Sequence, residues 1–347
     1  MDTAELLNQR LNLVYDWYLG MVNRHTGRFE YLYIPQTDRF VRESCPIREI
    51  ASLWNASVLG EFLGRNELQF VIETSLRHHC EHLVERDGCL ILDTKHLGEP
   101  SSIAHSAFLL LALLHAPPPL DKRRVTHLAE GILRQQQIDG SYKIYFDTRA
   151  DEGKELYPGE AMLALAEAYR RLHDTRYLCS VVFGLGYYNA GYFRLGQVPD
   201  NLLVFFANWQ SQAVRLLADA APDVAARKDV TAYVCRMLDR VIDRGFYEDV
   251  ERYPARQSSV EVACALEGLN DTYALVRGSD AARAERYRRC LRAGLNYLLR
   301  LQCTGAGTER ERGGFGMSLG DQTQRIDVTG HAASALMKGL ANAIECV

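Results

Sequence analysis

The sequence predicts an all-α fold: an (α/α)6 toroid of six helical hairpins, an inner ring of six helices within an outer ring of six, with short β-hairpins in the loops at one end. Two observations carry that reading. Six times a helical stretch ends in a glycine followed within two positions by an aromatic or aliphatic residue: Gly27-Arg28-Phe29, Gly88-Cys89-Leu90, Gly140-Ser141-Tyr142, Gly191-Tyr192-Phe193, Gly245-Phe246-Tyr247 and Gly314-Phe315. The spacings are 61, 52, 51, 54 and 69 residues, so a unit of roughly 55 recurs from end to end, the mark of a repeat architecture. The second observation is an alternation in composition. Odd-numbered helices are amphipathic, with Arg, Lys and Glu along one side. Even-numbered helices carry runs such as Ala161-Met162-Leu163-Ala164-Leu165-Ala166, Val262-Ala263-Cys264-Ala265-Leu266 and Ala332-Ala333-Ser334-Ala335-Leu336. Helices apolar on most sides belong inside, and small residues let them approach closely.

Helix one covers about 3–23, with Leu6, Leu7, Leu11, Val14, Tyr15 and Tyr18 on one face. Helix two covers about 47–64, after a loop rich in Tyr, Arg and Asp. Helix three (about 67–85) leads through Asp87-Gly88 to helix four (about 103–114), which Pro117, Pro118 and Pro119 end sharply. Helix five, 123–137, stops at Asp139-Gly140. Helix six starts near Tyr157-Pro158, proline being tolerated in a first turn. Helices seven to twelve follow at about 175–189, 202–220, 224–243, 258–276, 280–302 and 327–344. Tyr142 to Phe146 reads as a short hairpin strand.

The repeat runs through both halves of the chain, so one domain, 1–347, is expected. Net charge is −4 with both signs interspersed, which argues against nucleic acid as a partner. The Arg-rich stretch 283–292 has helical spacing and reads as the solvated face of an outer helix. Nine cysteines with no CxxC suit free thiols better than a disulfide framework. No apolar run approaches membrane-spanning length. The acidic start Met1-Asp2-Thr3-Ala4-Glu5 lacks a basic leader region, making the cytoplasm the expected compartment.

The repeat pattern, the segment Leu156-Tyr157-Pro158-Gly159-Glu160-Ala161 running on to Tyr169, and the closing segment Arg325-Ile326-Asp327 to His331 together resemble the six-hairpin glycosidase superfamily. That group includes unsaturated glucuronyl hydrolases and N-acylglucosamine 2-epimerases. The resemblance covers nearly the whole chain as an architecture and implies a carbohydrate-active enzyme, without fixing one reaction.

In such a ring the loops from outer to inner helices gather at one mouth, where inner-helix N-termini favour anionic groups. Those loops are rich in Tyr, Arg and carboxylates: Tyr31, Tyr33, Asp38 and Arg39 in the first, Asp93 and Lys95 in the second. The third holds Tyr142, Tyr145, Asp147, Arg149, Lys154, Glu155, Tyr157 and Glu160. Aromatic rings stack on pyranose faces and charged groups fix hydroxyls or carboxylates, so the mouth reads as a sugar cleft. Glu160, in the first turn of helix six, is the first catalytic candidate; its bland alternative is a carboxylate complementing the helix dipole. Asp327 and His331 share a face at i, i+4, with Gln324 and Arg325 beside them, and would supply an oriented base. The plainer alternative makes Asp327 a helix cap. Asp147 is the remaining catalytic candidate. Tyr145, Tyr157, Arg325, Trp209, Glu261, Asp93 and His105 are candidate substrate-binding residues, Trp209 competing with a packing role.

Glycoside hydrolysis by paired carboxylates is the leading expectation. The alternatives are sugar epimerisation, a task for His or Tyr acid–base groups, and a non-catalytic toroid that binds a glycan or peptide. The substrate is expected to be a small molecule or oligosaccharide, with no cofactor and no metal. Toroids that hold zinc through a Cys-His dipeptide find no counterpart here. His78, His79 and His82 read as a solvated group, and no P-loop or strand-borne GxGxxG occurs.

Overall fold

The computed structural model describes residues 2–41, 45–227, 229–247, 258–305 and 308–346. Its elements begin with α1 (Thr3–Gly20), β1 (Leu32–Ile34), β2 (Arg39–Val41), α2 (Pro46–Leu63) and α3 (Gln69–Cys80). Next come β3 (Leu83–Arg86), β4 (Cys89–Leu92), α4 (Ile103–Leu114), α5 (Lys122–Leu133), α6 (Tyr157–Leu172) and α7 (Thr175–Tyr187). A π-helix at Tyr188–Phe193 precedes α8 (Leu203–Ala220), α9 (Pro222–Arg227) and α10 (Val230–Asp243). The chain closes with α11 (Ser259–Val276), α12 (Ala281–Leu301), β5 (Gly316–Ser318), β6 (Asp321–Arg325) and α13 (Ile326–Ala341). No helix among the described residues is long and apolar enough to cross a membrane.

The chain divides into two compact units, residues 1–75 with 239–347, and residues 76–238. In the first, α13 packs between α11 and α2, with α1 and α12 outside them. In the second, α6 packs between α4 and α8, flanked by α5 and α7. Each unit thus owns a run of three apolar helices backed by amphipathic ones, as the composition predicts. All twelve residues of α4 are buried. By contrast, α12 faces solvent with Arg283, Arg286, Arg288 and Arg292 paired to Asp280, Asp243, Glu285 and Glu345. Such surface pairs contribute little each.

Glycines set how closely the inner helices approach. A Cβ on Gly159 of α6 would lie 2.5 Å from Trp209 Cβ of α8, and one on Gly330 of α13 would lie 2.4 Å from Asn55 Nδ2 of α2. Gly159→Ala is therefore expected to destabilise the chain by about 1 to 3 kcal/mol through overpacking, read as a lowered denaturant midpoint with unchanged m-value.

Where sequence and structure differ, turn chemistry is the reason. Helix three ends at Cys80 rather than near 85, because Asp87 (φ 52°) and Gly88 (φ 78°) close a tight hairpin between β3 and β4. Helix seven does not stop at 189: the π-helix continues through Gly191, whose missing side chain leaves room for the Tyr187 ring 3.3 Å from the Cβ position. Helix nine is two elements, α9 and α10, with Asp229 left-handed between them (φ 48°) and residue 228 outside the described residues. Tyr142–Phe146 forms no hairpin; Tyr142 and Tyr145 make single bridges to Gln136 and Ser102. The four-stranded sheet is built instead from the first and last loops, in the antiparallel order β2-β1-β6-β5. His79 is 1% exposed, so the histidine group is not a solvated one; the His82 and His96 rings lie 3.9 Å apart. All nine cysteines are free and Cys179 alone is exposed.

Candidate active site

The first unit builds its polar centre on the junction of β6 and α13. β1 pairs with β6 so that Leu32 faces Arg325 and Tyr33 faces Gln324. The Ile326 N–H donates to the Tyr31 carbonyl at 3.2 Å, and the Tyr18 hydroxyl donates to the Ile326 carbonyl at 2.9 Å. Gln324 is locked from both sides: Trp17 Nε1 donates to its Oε1 at 2.7 Å, and its Nε2 donates to the Glu311 carbonyl at 2.9 Å. It holds the platform.

On that platform Arg325 grips Asp327 bidentately, Nε to Oδ1 at 3.0 Å and Nη2 to Oδ2 at 2.6 Å. Arg48, in the first turn of α2, brings its Nε 3.5 Å from Asp327 Oδ2 and also donates to the Tyr31 hydroxyl. Two guanidiniums around one carboxylate leave a net positive patch, with Arg48 the more exposed at 41% of its side chain against 16% for Arg325. Asp327 is not the helix cap: Arg325 occupies that position, without a side-chain capping bond.

One turn along α13, His331 Nδ1 meets Glu267 Oε2 of α11 at 2.8 Å. The Cys264 sulfur, one turn before Glu267, lies within 4.8 Å of the ring nitrogen and of the carboxylate. Glu267 and Cys264 are 1% and 2% exposed, while His331 keeps 12% of its side chain accessible. Burial opposes a charged imidazole, yet Cys264 and Glu267 together raise its pKa well above the ordinary histidine value. Burial likewise pushes Glu267 up, and the His331 charge pulls it below the usual carboxylate range. The carboxylate that orients His331 is thus Glu267 from the neighbouring helix, while Asp327 is committed to arginines.

The second unit places the remaining candidates. Glu160 is 5% exposed in the first turn of α6. His105 is held at both nitrogens, Nδ1 to Ser102 Oγ at 2.8 Å and Nε2 to Glu99 Oε2 at 2.7 Å. Trp209 is 3% exposed and packs edge-on to Phe108, which is the packing role. Asp93 accepts from the Lys95 N–H and the Ser101 hydroxyl; burial raises its pKa, and these bonds outweigh that and lower it. It ties its own loop. Asp147 is bound by Arg149 at 2.9 and 3.0 Å, which lowers its pKa and removes it as an acid. Tyr145 is buried under the Arg149 guanidinium, 5.2 Å from the ring centre. Tyr157 is half-buried at the start of α6, against Gly153. Tyr142 and Lys154 line a cavity of about 310 Å³ with Lys143, Asp151, Tyr187 and Tyr192. In the first unit, Glu261 is half-buried in the first turn of α11.

Sequence reasoning missed Glu267, Arg48 and Glu99. Glu267 had a signal: a lone acid inside the apolar run Val262–Leu269 needs a partner, since an unpaired buried charge is costly. The metal reading also missed a grouping, because Cys264, Glu267 and His331 come together only across two helices, with donor atoms within 4.8 Å of one another.

No family model and no curated protein matches the chain. Solved structures do. A sugar epimerase from a ruminal bacterium aligns with TM-score 0.69 and 12% identity over 99% of both chains. A D-mannose isomerase aligns with TM-score 0.71 and 10% identity over 97% of both. An unsaturated glucuronyl hydrolase specific for heparin aligns with TM-score 0.56 and 11% identity over 98% of this chain and 99% of that one. At these identities the likeness shows the fold alone, and the chain has the (α/α)6 toroid fold of these structures.

Proposed function

We propose that the protein is a sugar epimerase or isomerase that moves a proton at the carbon next to the carbonyl of an open-chain sugar. The observation that carries this is the His331–Glu267 pair: a partly accessible imidazole, fixed by a buried carboxylate on one nitrogen, is the form of a general base that becomes an acid. Neutral His331 takes the proton and an enediolate forms. The imidazolium returns the proton either to the opposite face of the same carbon, once the enediolate has turned, or to the neighbouring carbon as a hydroxyl proton passes between the two oxygens. Glu267 stabilises the intermediate imidazolium. The positive patch of Arg48 and Arg325, with the Tyr31 hydroxyl, stabilises the developing oxyanion. The fold relationship to a sugar epimerase and a mannose isomerase supports this choice.

Hydrolysis by paired carboxylates fits less well. Such a mechanism needs one protonated acid; Asp147 is held below the usual carboxylate range by Arg149, and both oxygens of Asp327 are already taken by Arg325.

The test is to incubate the protein with aldoses, ketoses, N-acetylhexosamines, uronic acids and short oligosaccharides in D2O, following products by NMR. A new epimer or isomer carrying deuterium at the carbon next to the carbonyl is expected. Cleaved glycosidic bonds without exchange would make it a hydrolase, and bound but unchanged sugar a binding toroid.

A further inference from the structure

We propose that Cys264, Glu267 and His331 form a three-ligand site for a thiophilic divalent cation of the zinc class, its fourth position left to water or a sugar oxygen. Cys264 and Glu267 stand three residues apart on α11, so they share one face, and His331 enters from α13. Their donor atoms lie within 4.8 Å of one another. A tetrahedral zinc with sulfur, nitrogen and oxygen ligands asks for donors about 3.3 to 3.6 Å apart, so no pair has to close by more than about 1.5 Å. Rotation of the partly accessible imidazole supplies that movement, because the other two ligands share a rigid helix.

Thiolate, imidazole and carboxylate are a zinc set, and the sulfur excludes magnesium and calcium as preferred occupants. Burial keeps Cys264 a thiol without the ion; binding releases its proton, and the divalent charge then offsets the thiolate and the carboxylate in an almost wholly buried site. Surrounding groups steady the ligands. Ser334 of α13 and the charge of Lys338, which pairs with Asp271 at 2.6 Å, both favour the ionised form of Glu267. A bound cation takes up the imidazole that proton transfer uses, so it inhibits. That inhibitory consequence rests on the proposed function; cation binding does not.

The experiment is a titration of the chelator-treated, reduced full chain with Co2+. One equivalent is expected to bind with a thiolate-to-cobalt charge-transfer band that Zn2+ abolishes by displacement. Cys264→Ser is expected to remove the band, and Glu267→Gln to weaken binding at least about tenfold, with circular dichroism confirming folded protein. Absence of the band in the unaltered chain overturns the site, as does an unchanged band in Cys264→Ser, which would point to another of the nine cysteines. X-ray absorption on the zinc-loaded unaltered chain needs no variant: one sulfur neighbour is expected, and a shell of nitrogen and oxygen alone overturns the site. Turnover stopped by one equivalent supports the inhibitory role. Turnover untouched by bound cation leaves the site standing and overturns His331 as the proton-transfer group.

Discussion

Replacing His331 with asparagine is expected to lower turnover of the sugar substrate by about 10²- to 10⁴-fold, the range that a positioned general acid–base supplies. Stability falls too, because Glu267 is left buried with its imidazolium gone. Rates are therefore compared well below the melting transition. The double variant His331→Asn with Glu267→Gln separates the effects: it removes the stranded charge and is expected to recover much of the stability and none of the rate. A His331→Asn protein that turns over normally would falsify the proton-transfer role.

The same pair fixes a pH dependence of opposite sign for stability and rate. The folded pKa of His331 is raised above its unfolded value of about 6.5. Its ion pair with Glu267 is fully stabilising below that unfolded value and is lost as pH rises through the folded one. Catalysis needs the neutral imidazole, so kcat is expected to climb over that same alkaline window while the melting temperature declines relative to the double variant. A rate profile that rises and levels near pH 6.5 would mean that the imidazole acts without its carboxylate.

The repeat and the alternation of helix composition were legible because both follow from packing rules local to each hairpin. Ala- and Leu-rich helices must be buried, and Arg-rich α12 must not. The outlines of the site were half legible. His331, Arg325 and Asp327 stand together in the chain and could be read together. Glu267 lies 64 residues away from His331, and no spacing rule within one helix links α11 to α13. Asp327 and His331 at i, i+4 suggested each other for that reason, whereas the arginines outcompete histidine for the more accessible acid. Trp209 carries two readings in its residue type, sugar stacking and packing, and the glycine at 159 lets α6 press onto it.

Gly313→Ala is expected to cost about 3 to 5 kcal/mol, combining a backbone that L residues rarely adopt with a clash that cannot relax. Its φ is 101°, and a Cβ there would lie 2.0 Å from the carbonyl oxygen of Leu13 in α1. The obstacle is helix backbone, so no rotamer change relieves it. The neighbouring hydrogen bonds hold the segment in place: the Gly313 N–H donates to the Cys303 carbonyl at 2.7 Å, and Gln302 Nε2 donates to the Gly313 carbonyl at 3.1 Å. Moving away from α1 breaks these and shifts Gly314, which abuts the Trp17–Gln324 contact beneath Arg325. A loss of this size is a large share of a typical stability of 5 to about 15 kcal/mol, and it is expected to appear with weakened substrate binding because the Arg325 platform moves. Gly278→Ala is the control: its Cβ would meet nothing within 4 Å and its φ is not positive, so a change within about 0.5 kcal/mol is expected. Equal midpoints for the two variants in chemical denaturation would show that the seam between α1 and the last loop yields where the geometry says it cannot.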